Sequence, residues 1–455
     1  MLRRLWIVIL MGLIGWTIPA AARKADPNQY IAVVGGMLID GYGGPPLQNA
    51  VVLIRGNLIE TVGTVDTVQI PPNARVISAE GKTILPGLMD MHVHLIILGH
   101  ADYAHWFRTY RGQWLDRIMP IAAQQLLMAG VTTVRDVGAE LHAILEFKRR
   151  VERGEVPGPR LFVSGPFLQV DETIPPEQRE FRWGVKSVAD ARAKVRQLAR
   201  AGVDLIKLID QDRMDFAVVQ AIVDEAHRHG LHVAAHAHRE DEILVGLRAG
   251  VDCFEHTGLA TEPRYPDAVI RAIERRNASL YWVPTIEGLY LYELTERFPE
   301  RLDDPRLAET TPRDIFLDIR NSLRNISQME YFVLVKRRIP TLKTKFHQLW
   351  KAGVTLLIGT DSGIPLNFHF DSTWRELDTW GRLGMDPMDV IRAATFWPAR
   401  LLQRDDLGVI APGKKADVIV VDGNPLEDLR ELRHVVTVIK DGVVYVHEGK
   451  WVGGE

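Results

Sequence analysis

The middle of the chain alternates short apolar runs with helical patterns, and this alternation restricts the fold more than any other feature. Helical patterns such as residues 188–201 and 216–229 separate several of the runs. Strands that alternate with helices favour a parallel sheet covered by helices. Eight runs have the length and apolar character of buried strands: 84–95, 132–137, 160–164, 205–209, 232–237, 253–256, 280–284 and 355–361.

Eight strand–helix units over about 300 residues predict a closed (β/α)8 TIM-type barrel. We place this α/β barrel at residues 86–402. The alternative is an open doubly wound sheet, but the first turn carries no glycine-rich fingerprint to support it. In a barrel of this type, active sites lie at the carboxyl ends of the strands.

Both ends of the chain have a different sequence pattern from the middle. Residues 23–85 and 403–455 contain short β-rich runs separated by glycine turns. We therefore predict one small β-sandwich domain assembled from the two chain ends. The strand candidates are 31–34, 50–54, 74–77, 416–421, 435–439 and 443–446.

The first 22 residues have the pattern of a cleaved secretory signal peptide. Arg3 and Arg4 precede an apolar run over residues 5–18, and Pro19 and three alanines follow it. An uncleaved anchor is the alternative, but the run is shorter than the ~20 residues that span a bilayer. We predict export to a periplasm or the medium, with no stable membrane span after cleavage.

Charge and cysteine content narrow the function classes. A net charge of -3 gives no reason to expect nucleic acid as a partner. The single cysteine, Cys253, excludes an intrachain disulfide and a thiolate-clustered zinc site. Whether the chain forms a homo-oligomer stays open.

Two histidines share one face of the first strand candidate. His92 and His94 are two residues apart, so in a strand both imidazoles point the same way, together with Asp90. Imidazole is a common zinc ligand, so the pair has the form of half a metal site. Two partly buried histidines bonded to backbone carbonyls would show the same pattern.

Further polar residues fall at the ends of the other strand candidates. Lys207 can extend its amine to solvent, His256 can be a core histidine and Asp361 can cap a turn. Burying all of them at one rim is costly unless a cation compensates. The set consists of His92, His94, Lys207, His236, His238, His256 and Asp361.

The order of motifs resembles the metal-dependent amidohydrolase superfamily, in its prolidase-like and imidazolonepropionase-like branch. The resemblance spans essentially the whole chain after residue 22, including both β-rich ends. It rests on residues 86–94, 130–138, 202–207, 236–238, 250–256, 359–362 and 408–417.

The resemblance implies a hydrolase with two divalent metal ions, normally zinc. His92, His94 and Asp361 would bind the first ion, and His236 and His256 the second. Lys207 would be carboxylated by carbon dioxide and would bridge both ions. This role accounts for a lysine in an apolar strand and disfavours the one-metal deaminase branch, which lacks it.

The implied reaction is attack on a carbonyl carbon by a hydroxide that bridges the metals. Asp361 would carry the proton to the leaving amine. His238 would bind substrate or stabilise the oxyanion, or it would hydrogen-bond a metal ligand. The expected substrate is a small amide or dipeptide-like molecule.

Several alternatives remain at this level. The same hydroxide attacks lactones, carbamates and phosphotriesters, and a metal-free binding protein could retain the fold. Arg239 stands where the family often has glycine; it would bind a substrate carboxylate or pair with Glu240 or Asp241. The insertion at residues 286–354 is a lid or a solvated helical excursion. Plausible pocket-lining residues are Tyr281, Trp282 and Glu287.

Overall fold

The computed structural model of the protein describes residues 24–258, 262–291, 302–324 and 330–454. The predicted signal peptide, residues 1–22, lies outside these ranges. Within them, no helix is both long enough and apolar enough to cross a membrane.

The first five strands are rich in valine, isoleucine and threonine, whose branched side chains favour extended backbone. They are β1 (Tyr30–Leu38), β2 (Leu47–Arg55), β3 (Leu58–Thr64), β4 (Arg75–Ser78) and β5 (Thr83–Pro86). β1 pairs antiparallel with β2 and parallel with β4 and β5. Four of these strands overlap predicted runs, whereas β3 and its glycine-containing sequence have no counterpart among the predictions.

The next strands pair with one another only in parallel orientation, in a three-stranded and a seven-stranded sheet. Each of the eight predicted runs overlaps one of them, and seven contain it entirely. β9 and β10 were not predicted, and β15 covers only the start of the run 355–361. The strands are β6 (Leu88–Val93), β7 (Val131–Asp136), β8 (Arg160–Val163), β9 (Phe167–Val170), β10 (Arg182–Val185), β11 (Leu205–Leu208), β12 (His232–His236), β13 (Cys253–Glu255), β14 (Tyr281–Val283) and β15 (Thr355–Leu356).

Backbone hydrogen bonds connect the two parallel sheets at both edges. Asp204 N, next to β11, donates to Val163 O of β8 at 2.8 Å. On the other side, Asp361 N donates to His92 O of β6 at 2.7 Å. The chain beyond β15 therefore lies directly against β6, with the carboxyl ends of both at the same rim.

The run 84–95, predicted as one strand, is divided at Gly87 between β5 and β6. A Cβ atom at this position would lie 2.1 Å from Thr132 Oγ1, so the close approach to β7 requires glycine. Gly87 N donates to Asp417 O, and the next residue, Leu88, donates to Gly130 O. The chain thus passes from the terminal sheet to the parallel sheets beside the predicted domain boundary.

The last strands return to the first five. They are β16 (Val418–Val421), β17 (Val435–Lys440), β18 (Val443–His447) and β19 (Lys450–Trp451). β16 pairs antiparallel with β5, so both chain ends share one mostly antiparallel nine-stranded sheet. The sheet curls until Leu58 of β3 pairs with Lys415, just before β16. Apolar side chains from both chain ends, such as Val52 and Ile439, form a common core.

The helices follow the parallel strands, as the alternating pattern predicts. Helix α4 has the predicted bounds, and α5 ends one residue early. Their bounds are α1 (Tyr103–Thr109), α2 (Met119–Met128), α3 (Leu141–Arg153), α4 (Val188–Ala201), α5 (Phe216–Arg228), α6 (Glu240–Ala249), α7 (Asp267–Glu274), α8 (Pro305–Thr310), α9 (Arg313–Ser322), α10 (Glu330–Lys351), α11 (Ser372–Arg382), α12 (Pro387–Ala393) and α13 (Phe396–Leu401).

The insertion at residues 286–354 contains α8, α9 and α10. The sequence predicts a helix over residues 340–352 within this insertion. Its predicted start is wrong: α10 begins at Glu330 and contains Pro340 in its interior. The longer helix carries Arg338, which reaches the cavity described below.

Candidate metal centre

The carboxyl ends of the parallel strands bring together the side chains that the sequence singled out. Two groups of three residues each have donor atoms within 4.8 Å of one another. The rings of His92 and His256 are 4.8 Å apart between centroids, so the two groups adjoin. We call His92, His94 and Asp361 the β6 group, and His236, His238 and His256 the β12 group.

In the β6 group, two imidazoles converge on one carboxylate oxygen. Asp361 Oδ1 lies 3.1 Å from His94 Nε2 and 3.4 Å from His92 Nε2. The other ring nitrogen of His92 lies 2.7 Å from Glu255 Oε2. A proton on Nδ1 in this contact leaves the Nε2 lone pair facing Asp361, as metal-bound histidines require.

Glu255 and Arg135 support this arrangement, and the sequence analysis assigned them no role. Arg135 Nη2 donates to Glu255 Oε1 at 2.6 Å, and its Nε donates to Met91 O at 2.7 Å. Burial raises the pKa of Glu255, but Arg135, Lys207 and His92 outweigh it and lower the pKa to about 2. The sequence signal that could have identified them is a pair of opposite charges, Arg135 and Glu255, each within an apolar run predicted as a buried strand.

In the β12 group, three imidazoles are packed against one another. The ring of His238 stacks on that of His256 with centroids 4.5 Å apart, and His236 lies 4.7 Å from His256. Burial, together with nearby Lys207, lowers the pKa of His236, His238 and His256 well below the usual value. Neutral imidazoles with free lone pairs are the form that binds metals.

His238 therefore lies among the donors of the β12 group and not behind them. Its Nδ1 has no hydrogen-bond partner within the described ranges, and the same holds for Nδ1 of His236. By contrast, His256 Nδ1 contacts Thr285 Oγ1 at 2.8 Å. The contact of His238 with a neighbouring carboxylate comes from its backbone N–H, which donates to Glu242 Oε2 at 2.6 Å.

Lys207 lies on β11 with its side chain fully buried. No hydrogen-bond acceptor for its Nζ is found among the described residues. Burial lowers the pKa of Lys207 to about 8, although Glu255 and Asp361 oppose the shift. A buried ammonium without acceptors is unfavourable, so the amine is unsatisfied in its unmodified form.

Three residues that follow strands have left-handed backbone. The φ angles are +75° at His256, +48° at Thr285 and +58° at Asp361. Each such non-glycine residue costs ~1–3 kcal/mol and persists only where its surroundings hold it. Backbone bonds hold two of them, because His256 N donates to Val283 O and Asp361 N to His92 O, both at 2.7 Å.

Asp90 was expected on the same face as His92 and His94, but the structure places it outside the β6 group. Its carboxylate accepts bonds from Thr360 Oγ1 at 2.7 Å and Thr373 Oγ1 at 3.0 Å. It also accepts from Thr360 N at 3.0 Å. Asp90 therefore fastens the segment that carries Asp361 to strand β6.

The donor set fits two divalent cations. Each group offers imidazole nitrogens, the β6 group adds a carboxylate, and the orphaned buried atoms include Nε2 of His92 and Nζ of Lys207. Nitrogen and oxygen donors of this kind suit zinc and neighbouring transition metals.

A cavity opens above the two groups. Aromatic side chains form one wall, and the guanidinium of Arg182 lies 5.3 Å from the ring centroid of Phe167. Arg338 of α10 adds a second cation, so the predicted insertion does contribute to the site. Tyr281, Trp282 and Glu287, which were expected to line the pocket, do not. The lining also includes Tyr103, Phe107, Gln178, Phe181, Thr285 and Leu289.

Arg239 does not pair with Glu240 or Asp241 as predicted. Its guanidinium donates to Asp212 at 2.7 and 2.8 Å, and to Asp210 and Glu242. These three carboxylates occupy it, so Arg239 serves the packing of α6 and not the cavity.

Comparison with known proteins identifies the family of the chain. Residues 83–445 match the model of the family described as "Amidohydrolase family". Ochratoxinase from Aspergillus niger is 24% identical over 499 residues, which cover 96% of this chain and 91% of the relative. Imidazolonepropionase from Geobacillus kaustophilus is 25% identical over 398 residues, covering 83% and 84% of the two chains.

A solved structure has the same overall fold. It is a Xaa-Pro dipeptidase with bound methionine in the active site, 25% identical, with a TM-score of 0.71. The match covers 92% of this chain and all of the other. The chain therefore belongs to the amidohydrolase family, and it is a hydrolase acting on carbon–nitrogen bonds.

Proposed function

We propose that this protein is an exported, binuclear metal-dependent hydrolase that cleaves the amide bond of dipeptide-like substrates. The observation that carries the proposal is Lys207, whose fully buried amine has no hydrogen-bond acceptor in the described part of the chain. Its charge acts on four of the histidines, His92, His236, His238 and His256. Carboxylation of Lys207 beside divalent cations would remove this unfavourable state. Export rests on the signal pattern of residues 1–22.

We infer that the two parallel sheets are arcs of one closed (β/α)8 barrel. The bonds Asp204–Val163 and Asp361–His92 support closure, because they join β8 to β11 and the chain after β15 to β6. The eight strands in the ring are then the eight that the sequence predicts, and β9 and β10 lie beside it. In such a barrel all donors converge on the carboxyl end.

In this proposal His92, His94 and Asp361 would hold one cation, and His236 and His256 would hold the other. Lys207 would supply a carbamate ligand to them after its neutral amine adds to carbon dioxide: a nitrogen–carbon bond forms, one carbon–oxygen π bond opens, the nitrogen releases one proton, and a carbamate anion results. A pKa of about 8 supports this step, because about a tenth of the amine is then unprotonated at pH 7, far more than at the ordinary lysine pKa of 10.5. Zinc is the expected metal.

Bound divalent cations would polarise the substrate carbonyl and supply hydroxide near neutral pH. Asp361 carries the proton. Burial raises the pKa of Asp361, but His92 and His94 outweigh it, so the carboxylate is ionised and ready to accept a proton. It then delivers that proton to the leaving nitrogen. His238 lines the cavity, and in this proposal it binds the carbonyl group of the substrate.

The cavity supports a substrate with an apolar side chain and a carboxylate. Phe107, Phe167 and Phe181 supply the apolar wall, and Arg182 lies over two of these rings. The Nε of Arg182 is buried, without a hydrogen-bond partner in the described ranges. A guanidinium in this position would bind a carboxylate with charge-assisted bonds. Dipeptides and N-acyl amino acids have both features.

The test is hydrolysis of a panel of dipeptides and N-acyl amino acids by zinc-loaded protein, with released amine as the readout. We expect Asp361→Asn to reduce the rate ~10²–10⁴-fold, the usual contribution of a positioned acid–base group. Asp267→Asn is the matched control, since Asp267 is two-thirds exposed. Cleavage of lactones, carbamates or phosphotriesters with no cleavage of any amide would contradict the amide assignment.

A further inference from the structure

Three metal-ligating side chains also meet outside the β6 and β12 groups. Asp318 Oδ2 of α9 lies 3.1 Å from His105 Nε2 of α1 and 3.6 Å from His100 Nε2. The two imidazole rings stack at 5.3 Å with an interplanar angle of 14°. Stacked rings direct both Nε2 atoms toward the same carboxylate oxygen.

His100 is the residue that needs explanation. Its side chain is only 2% exposed, and its Nε2 has no hydrogen-bond partner among the described residues. Its Nδ1 lies 3.0 Å from both the carbonyl oxygen and the backbone nitrogen of Asp102, so it donates to the first or accepts from the second, depending on the tautomer. With the proton on Nδ1, the Nε2 lone pair faces the carboxylate. With the proton on Nε2, the 3.6 Å separation is too long for a hydrogen bond.

A cation bound between these atoms would give the buried Nε2 of His100 a partner. Tetrahedral zinc with bonds of ~2.0–2.1 Å places its donor atoms ~3.3 Å apart, and the observed separations of 3.1 and 3.6 Å lie on either side of this value. The bond from Tyr110 OH to Asp318 Oδ2 at 3.0 Å is an outer contact of the kind that orients metal ligands. Two imidazoles and one carboxylate favour zinc over calcium or magnesium.

We propose that His100, His105 and Asp318 bind a third divalent cation, zinc or a metal of similar preference, with a structural role. Asp318 belongs to the insertion, whereas His100 and His105 belong to the segment after β6. That segment contributes Ile97, Tyr103 and other residues to the cavity wall. The cation ties α9 to this wall and adds to the bond between Ala101 N and Ser322 Oγ.

The experiment measures bound zinc per chain after equilibrium dialysis against buffered free zinc, together with the apparent Tm with and without zinc. We expect Asp318→Asn and His105→Gln to bind one zinc fewer than the wild type and to have a smaller zinc-dependent rise in Tm. Asp318→Asn preserves side-chain shape, and His142→Gln, at an exposed histidine of α3, is the control that should match the wild type.

Zinc content of both variants equal to that of the wild type would overturn the proposal. The result is separable from the binuclear centre, because we expect Lys207→Ala to lose zinc there and to leave this site intact. We expect the zinc that Lys207→Ala retains to be lost in the double variant Lys207→Ala/Asp318→Asn. Retention of that zinc in the double variant would also refute the site.

Discussion

Glu255 is predicted to stabilise both the fold and the metal centre, and Glu255→Gln tests this. The carboxylate accepts a bond from Arg135 Nη2 at 2.6 Å and contacts His92 Nδ1 at 2.7 Å, with both charged side chains at most 2% exposed. The substitution leaves the guanidinium buried without its counter-charge and removes the anion that sets the His92 tautomer.

The magnitude follows from these two contacts. Breaking one side of a buried ion pair costs ~3–5 kcal/mol of unfolding free energy. Unfolding entropy of ~2.1 cal/mol/K per residue gives roughly 1 kcal/mol/K for 455 residues, so Tm should fall by roughly 3–5 °C. Loss of an anion behind a ligating histidine should weaken metal binding ~10–100-fold.

The assays are thermal unfolding of the chelator-treated protein and competition for zinc with a chromophoric chelator. Glu274→Gln is the control, because Glu274 is exposed on α7. The double variant Arg135→Met/Glu255→Gln should regain much of the lost stability, since no unpaired charge remains, while zinc affinity stays low. A Glu255→Gln protein with unchanged Tm and zinc affinity would refute the reasoning.

Two further predictions concern other residues. Arg182→Met should raise KM ~10–100-fold for substrates with a free carboxylate and leave KM for their esters unchanged, because the guanidinium forms charge-assisted bonds with the carboxylate. Steady-state kinetics measures this, with Arg271→Met, at an exposed arginine, as the control. An equal rise in KM for both substrate types would contradict the prediction. Burial raises the pKa of Glu376 from 4.5 to about 8, so between these pH values the folded protein keeps a proton on Glu376 that the unfolded chain has lost. The free energy of unfolding should therefore fall as the pH rises from 4.5 to 8. Denaturant titrations should show a smaller fall in Glu376→Gln, and an identical pH dependence in both proteins would contradict the prediction.

The parallel strands and most of the candidate donors were predictable because their signals are local. An apolar run of four to six residues that ends in His, Lys or Asp indicates a strand with a functional end, as at His236 and Asp361. Helix α4 was predictable because capping residues flank it. The side chain of Ser187 accepts a bond from Asp190 N before the first turn, and Gly202, with φ +93°, follows the last turn.

Contacts between distant residues were not predictable in the same way. Arg135 and Glu255 are 120 residues apart, and only the folded sheet brings them together. The network of Arg239 likewise depends on Asp210 and Asp212, which lie in the loop after β11. Pro340 gave a false helix start, because a proline at an initial turn and one within a longer helix have the same local sequence.

The central claim is the two-metal centre bridged by Lys207, and zinc content per chain tests it most directly. We would measure it in the Asp318→Asn background, where the site at His100 is removed, and compare Lys207→Ala with Lys186→Ala at a lysine that is 70% exposed. The account predicts two zinc ions per chain in the background and control proteins, and loss of most of this zinc in Lys207→Ala. Two zinc ions retained without the Lys207 amine would contradict it.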